Sequence, residues 1–208
     1  MRQNMPVQPS IWLDSCNRYG LVSRILHWSM AYVLIWQFLM IFSWKLFGEM
    51  KIMETVSAFG PGHGTAGFLT ILLFSLRIIW AFINRHRRPA HAAGWMGWIA
   101  LCVHKAFYAL FFIIPAVALL RSYGSGKGYK QWGIEFVPAT GQKVEWMMAP
   151  ANAMHSLLAW VLCALVTLHI LAALFHHLIL RDGTLTRMTG SVRKLLKKPT
   201  PNQTLAPE

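Results

Sequence analysis

The chain has 208 residues, 55% of them hydrophobic and only 13% charged, well below the roughly 25% charge of a typical soluble domain. Together with a positive mean hydropathy, this excludes an ordinary soluble globule and points to a membrane protein. The formal net charge of +13 raises a nucleic-acid reading, which the placement of the charges decides.

Predominantly apolar runs at about 25–44, 64–83, 99–120 and 156–180 each approach the roughly 20 residues that cross a bilayer core as helix. The fold expected is an all-α integral membrane protein, a bundle of four transmembrane helices over 25–180. Residues 1–24 form a cytoplasmic arm ahead of it. The first run follows Pro6, Pro9 and Asp14 and lacks a small-residue cleavage pattern, so it is expected to stay as a helix.

The first outer loop, about 45–62, ends in "FGPGHG", where Pro61 and Gly62 break the chain before a second helix beginning at about His63. The inner loop "NRHRRPAHAAG" carries the densest basic cluster. Pro115 is expected to kink the third helix. The second outer loop, about 121–154, is long and glycine-rich enough to fold over the outer mouth of a bundle. Residues 181–208 form a basic tail, its last ten expected to be disordered.

With the N-terminus inside, the cytoplasmic segments hold Arg2, Arg18, Arg24, Arg85, Arg87, Arg88, Lys105, Arg181, Arg187, Arg193, Lys194, Lys197 and Lys198. The outer loops hold only Lys45, Lys51, Arg121, Lys127, Lys130 and Lys143, diluted by Glu49, Glu54, Glu135 and Glu145. This positive-inside asymmetry puts both termini in the cytoplasm and makes nucleic acid an unsuitable partner. Trp28, Trp44, Trp80, Trp95, Trp98, Trp132 and Trp146 lie near helix ends or in adjoining loops, as aromatic belts do. Cys16, Cys102 and Cys163 form no C-x-x-C or C-x-x-C-H pattern, which leaves disulfide scaffolds, zinc ribbons and covalent haem attachment without support.

The histidines are the chemical signal. Fourteen residues of α-helix turn roughly 1,400°, about 40° short of four turns, over roughly 21 Å. His155 and His169 therefore share one face of the fourth helix at two depths. His63 and Arg77 repeat that spacing on the second. Imidazoles at helix ends often cap or bond a neighbour, which suits His177 near Arg181. An ionisable group inside the apolar run, such as His169, is a functional candidate by default. Arg77 either snorkels to the inner headgroups or answers an anionic cofactor group.

His27 and His104 lie on the inner side by topology. Depth thus gives an outer set, His63 with His155, and an inner set of His27, His104 and His169, with His176 at its edge. Haem suits such pairs: an apolar disc fills a bundle interior, its iron takes axial imidazoles, and its propionates want Arg or water. Two imidazoles per iron favour outer-sphere electron transfer over oxygen binding. Zinc would want a tetrahedral cluster at one depth. A histidine-lined metal transporter is therefore the less economical alternative.

Four segments carry a family resemblance: "RILHWSMAYVL", "GHGTAGFLTILLFSLRIIW", "HKAFYALFFIIPAVALL" and "HSLLAWVLCALVTLHILAALFHHLILRDGTLTRM". In their order and spacing they cover roughly residues 19–190, and the chain resembles the bacterial cytochrome b561 family. The resemblance implies two non-covalent b-type haems, with His63 and His155 as ligands of the outer one and His27 and His169 of the inner. It places His104 beside the inner haem or a quinone pocket, as the rival to His27, and His176 where quinone contact is expected. It further implies a bacterial inner-membrane oxidoreductase that passes electrons between a periplasmic donor and ubiquinone. Superoxide is a narrower candidate donor, which outer cations could steer. The related alternative is the cytochrome b subunit of a periplasmic dehydrogenase or hydrogenase. The terminal extensions exceed a minimal family member and leave the partner open.

Overall fold

The computed structural model describes residues 10–48, 55, 58–90 and 94–190. Helix α1 spans Leu21–Phe47, α2 His63–Ile83, α3 Gly94–Gly124 and α4 Glu145–Phe175. A π-helical turn, His176–Leu180, continues α4, and a single turn, α5, covers Thr186–Thr189. All four long helices are long and apolar enough to cross a membrane, as the composition requires. The basic residues Arg2, Lys51, Arg193, Lys194, Lys197 and Lys198, the acidic Glu49 and Glu54, and the tail beyond 190 lie outside the described residues.

Each helix is longer than its apolar run. The continuous segment Glu145–Leu180 has 36 residues, roughly 54 Å of helix against a hydrocarbon core of about 30 Å. Its first turns, with Glu145 and Pro150, stand in the polar zone, so α4 begins well before residue 156. The outer loop shrinks accordingly to 125–144. Likewise α3 starts at Gly94, which sets His104 well inside that helix instead of at its start. Pro115 lies inside α3, where it cannot donate to the carbonyl of Phe111.

Most large apolar side chains face outward, among them Ile35, Leu39, Ile79, Phe112, Leu157 and Leu168. In water that would be an aggregation surface; against lipid it is the solvated face. The interior is small. Leu34, Leu110 and Leu162 form a buried layer, with Phe38, Phe107, Phe111 and Ile114 packed against it. Leu162 is seven residues from both His155 and His169, so this apolar layer divides the bundle at mid-depth. The closest helix pairs are α3 with α4 and α1 with α2, and side chains bridge the space between these pairs.

The outer loop folds into an antiparallel hairpin, β1 Tyr129–Gln131 and β2 Ile134–Val137, paired Lys130 to Glu135 and Gln131 to Ile134. The two-residue turn Trp132–Gly133 has φ of 49° and 80°, the primed type whose twist matches the strands. Positive φ is strained for a residue as bulky as Trp132. Its ring meets Phe68 of α2 edge-on, centroids 5.7 Å apart, which holds the hairpin over the bundle mouth.

Residues 10–20 and 181–190 fold back on the inner end. Arg24 donates from Nε to the carbonyl of Met188 at 3.1 Å and from Nη2 to that of Thr189 at 2.6 Å. It thereby satisfies the open carbonyl end of α5. Arg181, at φ 53°, ends the π turn, and Asp182 returns to meet His176 Nδ1 at 2.5 Å. That hydrogen bond holds the Asp182 carboxyl down to about 2 from an ordinary 3.8. A depressed acid stabilises above its unfolded value and loses that contribution as pH falls through its folded one. Amide protection factors across 182–189, relative to intrinsic exchange at each pH, should hold at pH 5 and fall between pH 3.8 and about 2; equal protection at pH 2 would contradict the pairing.

Candidate functional site

At the outer end, α2 starts at His63 because Gly62, with extended backbone, turns the chain into the helix. Its ring faces that of His155 of α4, centroids 6.0 Å apart and planes at 79°. Nδ1 of His155 is buried and has no hydrogen-bond partner among the described residues. A buried polar atom left so is costly unless something occupies it.

Both rings line a cavity of about 400 Å³ walled by Leu34, Phe38, Phe111 and Leu162 among others, within the range of cofactor clefts. Two glycines of α2, Gly64 and Gly67, form part of the wall. A Cβ added at Gly67 would meet open space, and one at Gly64 only the Tyr129 ring at 3.8 Å. The helix surface is therefore flat where a planar group would lie.

At the inner end three imidazoles converge. His169 of α4 is 6.4 Å from His27 of α1 and 5.8 Å from His104 of α3, ring centre to ring centre. Phe107 meets His169 edge-on at 5.6 Å. Arg77 of α2 is within electrostatic reach of both His27 and His169. His176, seven residues beyond His169 and the first of the π turn that follows α4, is turned to Asp182. His177 is exposed beside Arg181 in a shallow cleft.

These spacings can be tested against an axial pair. A metal such as zinc sits about 2 Å from an imidazole nitrogen and the ring centre lies about 1 Å further back. Two rings sharing one metal thus have centres about 6 Å apart. The outer pair and both inner pairings fit. Among the described residues no group of three or more His, Cys, Asp or Glu side chains could hold a bare metal ion. The outer donors form one imidazole pair, and the inner three offer two alternative pairs around His169.

Sequence reasoning passed over two contributors to the outer cavity. Tyr129 reaches it from the hairpin and donates its hydroxyl to the Gly64 carbonyl at 3.0 Å; nothing in the sequence brings residue 129 to residue 64. Gln37 lines it from α1 and donates to Thr70 Oγ1 at 3.1 Å. That signal was present, since a glutamine within "AYVLIWQFLMIF" is a polar group at membrane depth.

Fold and site together define a class: a four-helix membrane bundle with facing imidazoles at two depths. Residues 18–191 match the family described as prokaryotic cytochrome b561, and the chain belongs to it. The chain is similar to "Cytochrome b561 homolog 2" of Escherichia coli (strain K12), 30% identical over 181 residues, 83% of this chain and 92% of the relative. It is 31% identical over 130 residues to "Cytochrome b561 homolog 1" of the same organism, 61% of this chain and 72% of that one. It is also 34% identical over 90 residues to "Probable superoxide oxidase CybB" of Yersinia pestis, 43% of this chain and 51% of that protein. Membership makes this a bacterial inner-membrane electron-transfer protein and implies b-type haem.

The glycine wall yields a direct check. Gly67→Phe should clearly lower the haem retained per chain, because its ring occupies cavity space, while Gly67→Ala retains it and helical circular dichroism is unchanged in both. Full haem content in the Phe variant would contradict the cavity's role.

Proposed function

We propose that the chain carries single electrons across the inner membrane, from a periplasmic donor to ubiquinone near the inner leaflet, through two b-type haems. The observation that carries this reading is the pair of imidazole sites one above the other, separated by the Leu34–Leu110–Leu162 layer. Bound b-type haem would supply one-electron iron chemistry there.

In this reading His63 and His155 hold the outer group and His27 and His169 the inner. His104 stands beside the inner site as the alternative ligand. Arg77 answers a propionate there, an anion that a guanidinium at membrane depth can pair with. His176 with Asp182 marks the inner rim where quinone contact is expected. The N- and C-terminal segments lie in the cytoplasm, which the excess of inner basic residues supports. The arm of 1–24 and the tail of 181–208 flank the cytochrome domain.

Superoxide as donor is a second reading, favoured by the likeness to "Probable superoxide oxidase CybB" of Yersinia pestis. The outer cations give it limited help. Lys130 pairs with Glu135 at 3.8 Å and Lys143 with Glu145 at 2.6 Å, and Arg121 Nε donates to Asn152 Oδ1 at 2.9 Å. The two ion pairs weaken the long-range pull on a small anion, while Arg121, beside a neutral amide, keeps its full charge.

Purified protein should show b-type bands in a reduced-minus-oxidised spectrum, and His155→Ala and His169→Ala should each remove part of them. A colourless protein would sink the haem reading. A His169→Ala protein that kept two bis-imidazole spectra would sink the inner assignment. If superoxide reduces neither haem, the superoxide reading fails and the broader one stands.

A further inference from the structure

The most deeply buried acid of the described residues, Asp14, plays no part in the account so far. It lies in the N-terminal arm at 4% exposure. Its Oδ1 accepts from the Gly20 N–H at 2.8 Å and from the Ser23 hydroxyl at 2.6 Å. Gly20 is the N-cap of α1 and has no side chain to close the helix start. Asp14 closes it from six residues upstream, with a negative charge at the positive end of the helix dipole.

The same residue ties α1 to α2. The Asp14 backbone N–H donates to Asn84 Oδ1 at 3.3 Å, and Asn84, with no exposed surface, donates from Nδ2 to the Trp80 carbonyl at 3.1 Å. Trp80 Nε1 donates in turn to Ser23 Oγ at 3.0 Å. Ser23 thus gives its proton to Asp14 and accepts one from Trp80. The second carboxylate oxygen faces Arg88 Nε at 3.4 Å, an ion pair outside hydrogen-bond geometry. Arg88 balances the buried charge without fixing its direction.

The position of this knot gives it a consequence. Ser23 is one helical turn before His27 on α1, and Trp80 is about one turn after Arg77 on α2. The Trp80–Ser23 bond therefore joins the two helices directly beneath the inner imidazoles. His169 has two partners at similar range, His27 and His104. A misplacement of about 1 Å is enough to unmake such a site.

We propose that Asp14 is the positioning residue of the inner site: its carboxylate, balanced by Arg88, fixes where α1 stands against α2 and so presents His27 to the group that His169 holds. This rests on the reading of His27 and His169 as the inner haem pair. Asp14, which lies just ahead of the family match at 18–191, is then part of the redox site's frame.

The test uses full-length protein with its haems, read by low-temperature paramagnetic resonance and by potentiometric titration of each haem. Asp14→Asn keeps an oxygen for Gly20 and Ser23 but loses the charge; Ser23→Ala cuts the link to Trp80. In either variant the signal assigned to the inner haem by His169→Ala should move. The expected size is about tenfold in its ferrous-to-ferric ratio at fixed potential, or about 59 mV for one electron. The outer signal should stay in place. Unchanged lines and midpoints for both haems in both variants would overturn the proposal, and so would a His27→Ala protein that keeps both bis-imidazole signals. If Asp14→Asn fails to accumulate, Ser23→Ala decides alone. A wild-type chain without b-type signals would strike the haem reading itself, and this one with it.

Discussion

Hydrocarbon offers an imidazole nitrogen no water, and this bundle places facing imidazoles at two depths along the inner face of α4. That cost shapes the interior. His155 Nδ1 is buried without a partner among the described residues, beside an apolar cavity with a flat glycine wall. A cavity lies between the helices, and a planar cofactor held by His63 and His155 would account for the space and those histidines together. Below the cavity, the leucine layer separates the outer site from the inner one. Separation at mid-membrane suits a carrier that moves charge between faces in two short steps.

The two ends are braced differently. Outside, the hairpin is held by Trp132 against Phe68 and by Tyr129 on the Gly64 carbonyl, contacts that put a strained, aromatic lid against the cavity mouth. Inside, residues 10–20 and 181–190 fold back on α1. Asp14 secures its start from one side and the carbonyls of Met188 and Thr189 take Arg24 from the other. The first turns of α1, which carry His27, are thus pinned where a small movement would choose between two partners for His169.

The sequence makes the bundle legible because membrane helices must be long and apolar, and nothing else satisfies the backbone in lipid. The 14-residue spacings of His155 and His169, and of His63 and Arg77, are equally readable, since helical periodicity converts spacing into a shared face. Helix ends are less so: Glu145 and Pro150 read as loop, yet they sit on a helix that has outrun the hydrocarbon. Tertiary closure is unreadable in the sequence. No local pattern links Asp14 to Asn84, Arg24 to Met188, or Tyr129 to Gly64. Trp132 at positive φ also defies the turn rules, which favour Asn or Asp there. Sequence leaves His27 and His104 in competition, and the geometry keeps both within reach of His169.

The central claim is that the paired imidazoles hold two haems, one above the other. Haem per chain, measured on intact purified protein by the pyridine complex together with its ferric resonance spectrum, tests it most directly. The account predicts two haems per chain, both low-spin with axial imidazoles. One haem per chain, or a high-spin signal from either site in the intact protein, would contradict it.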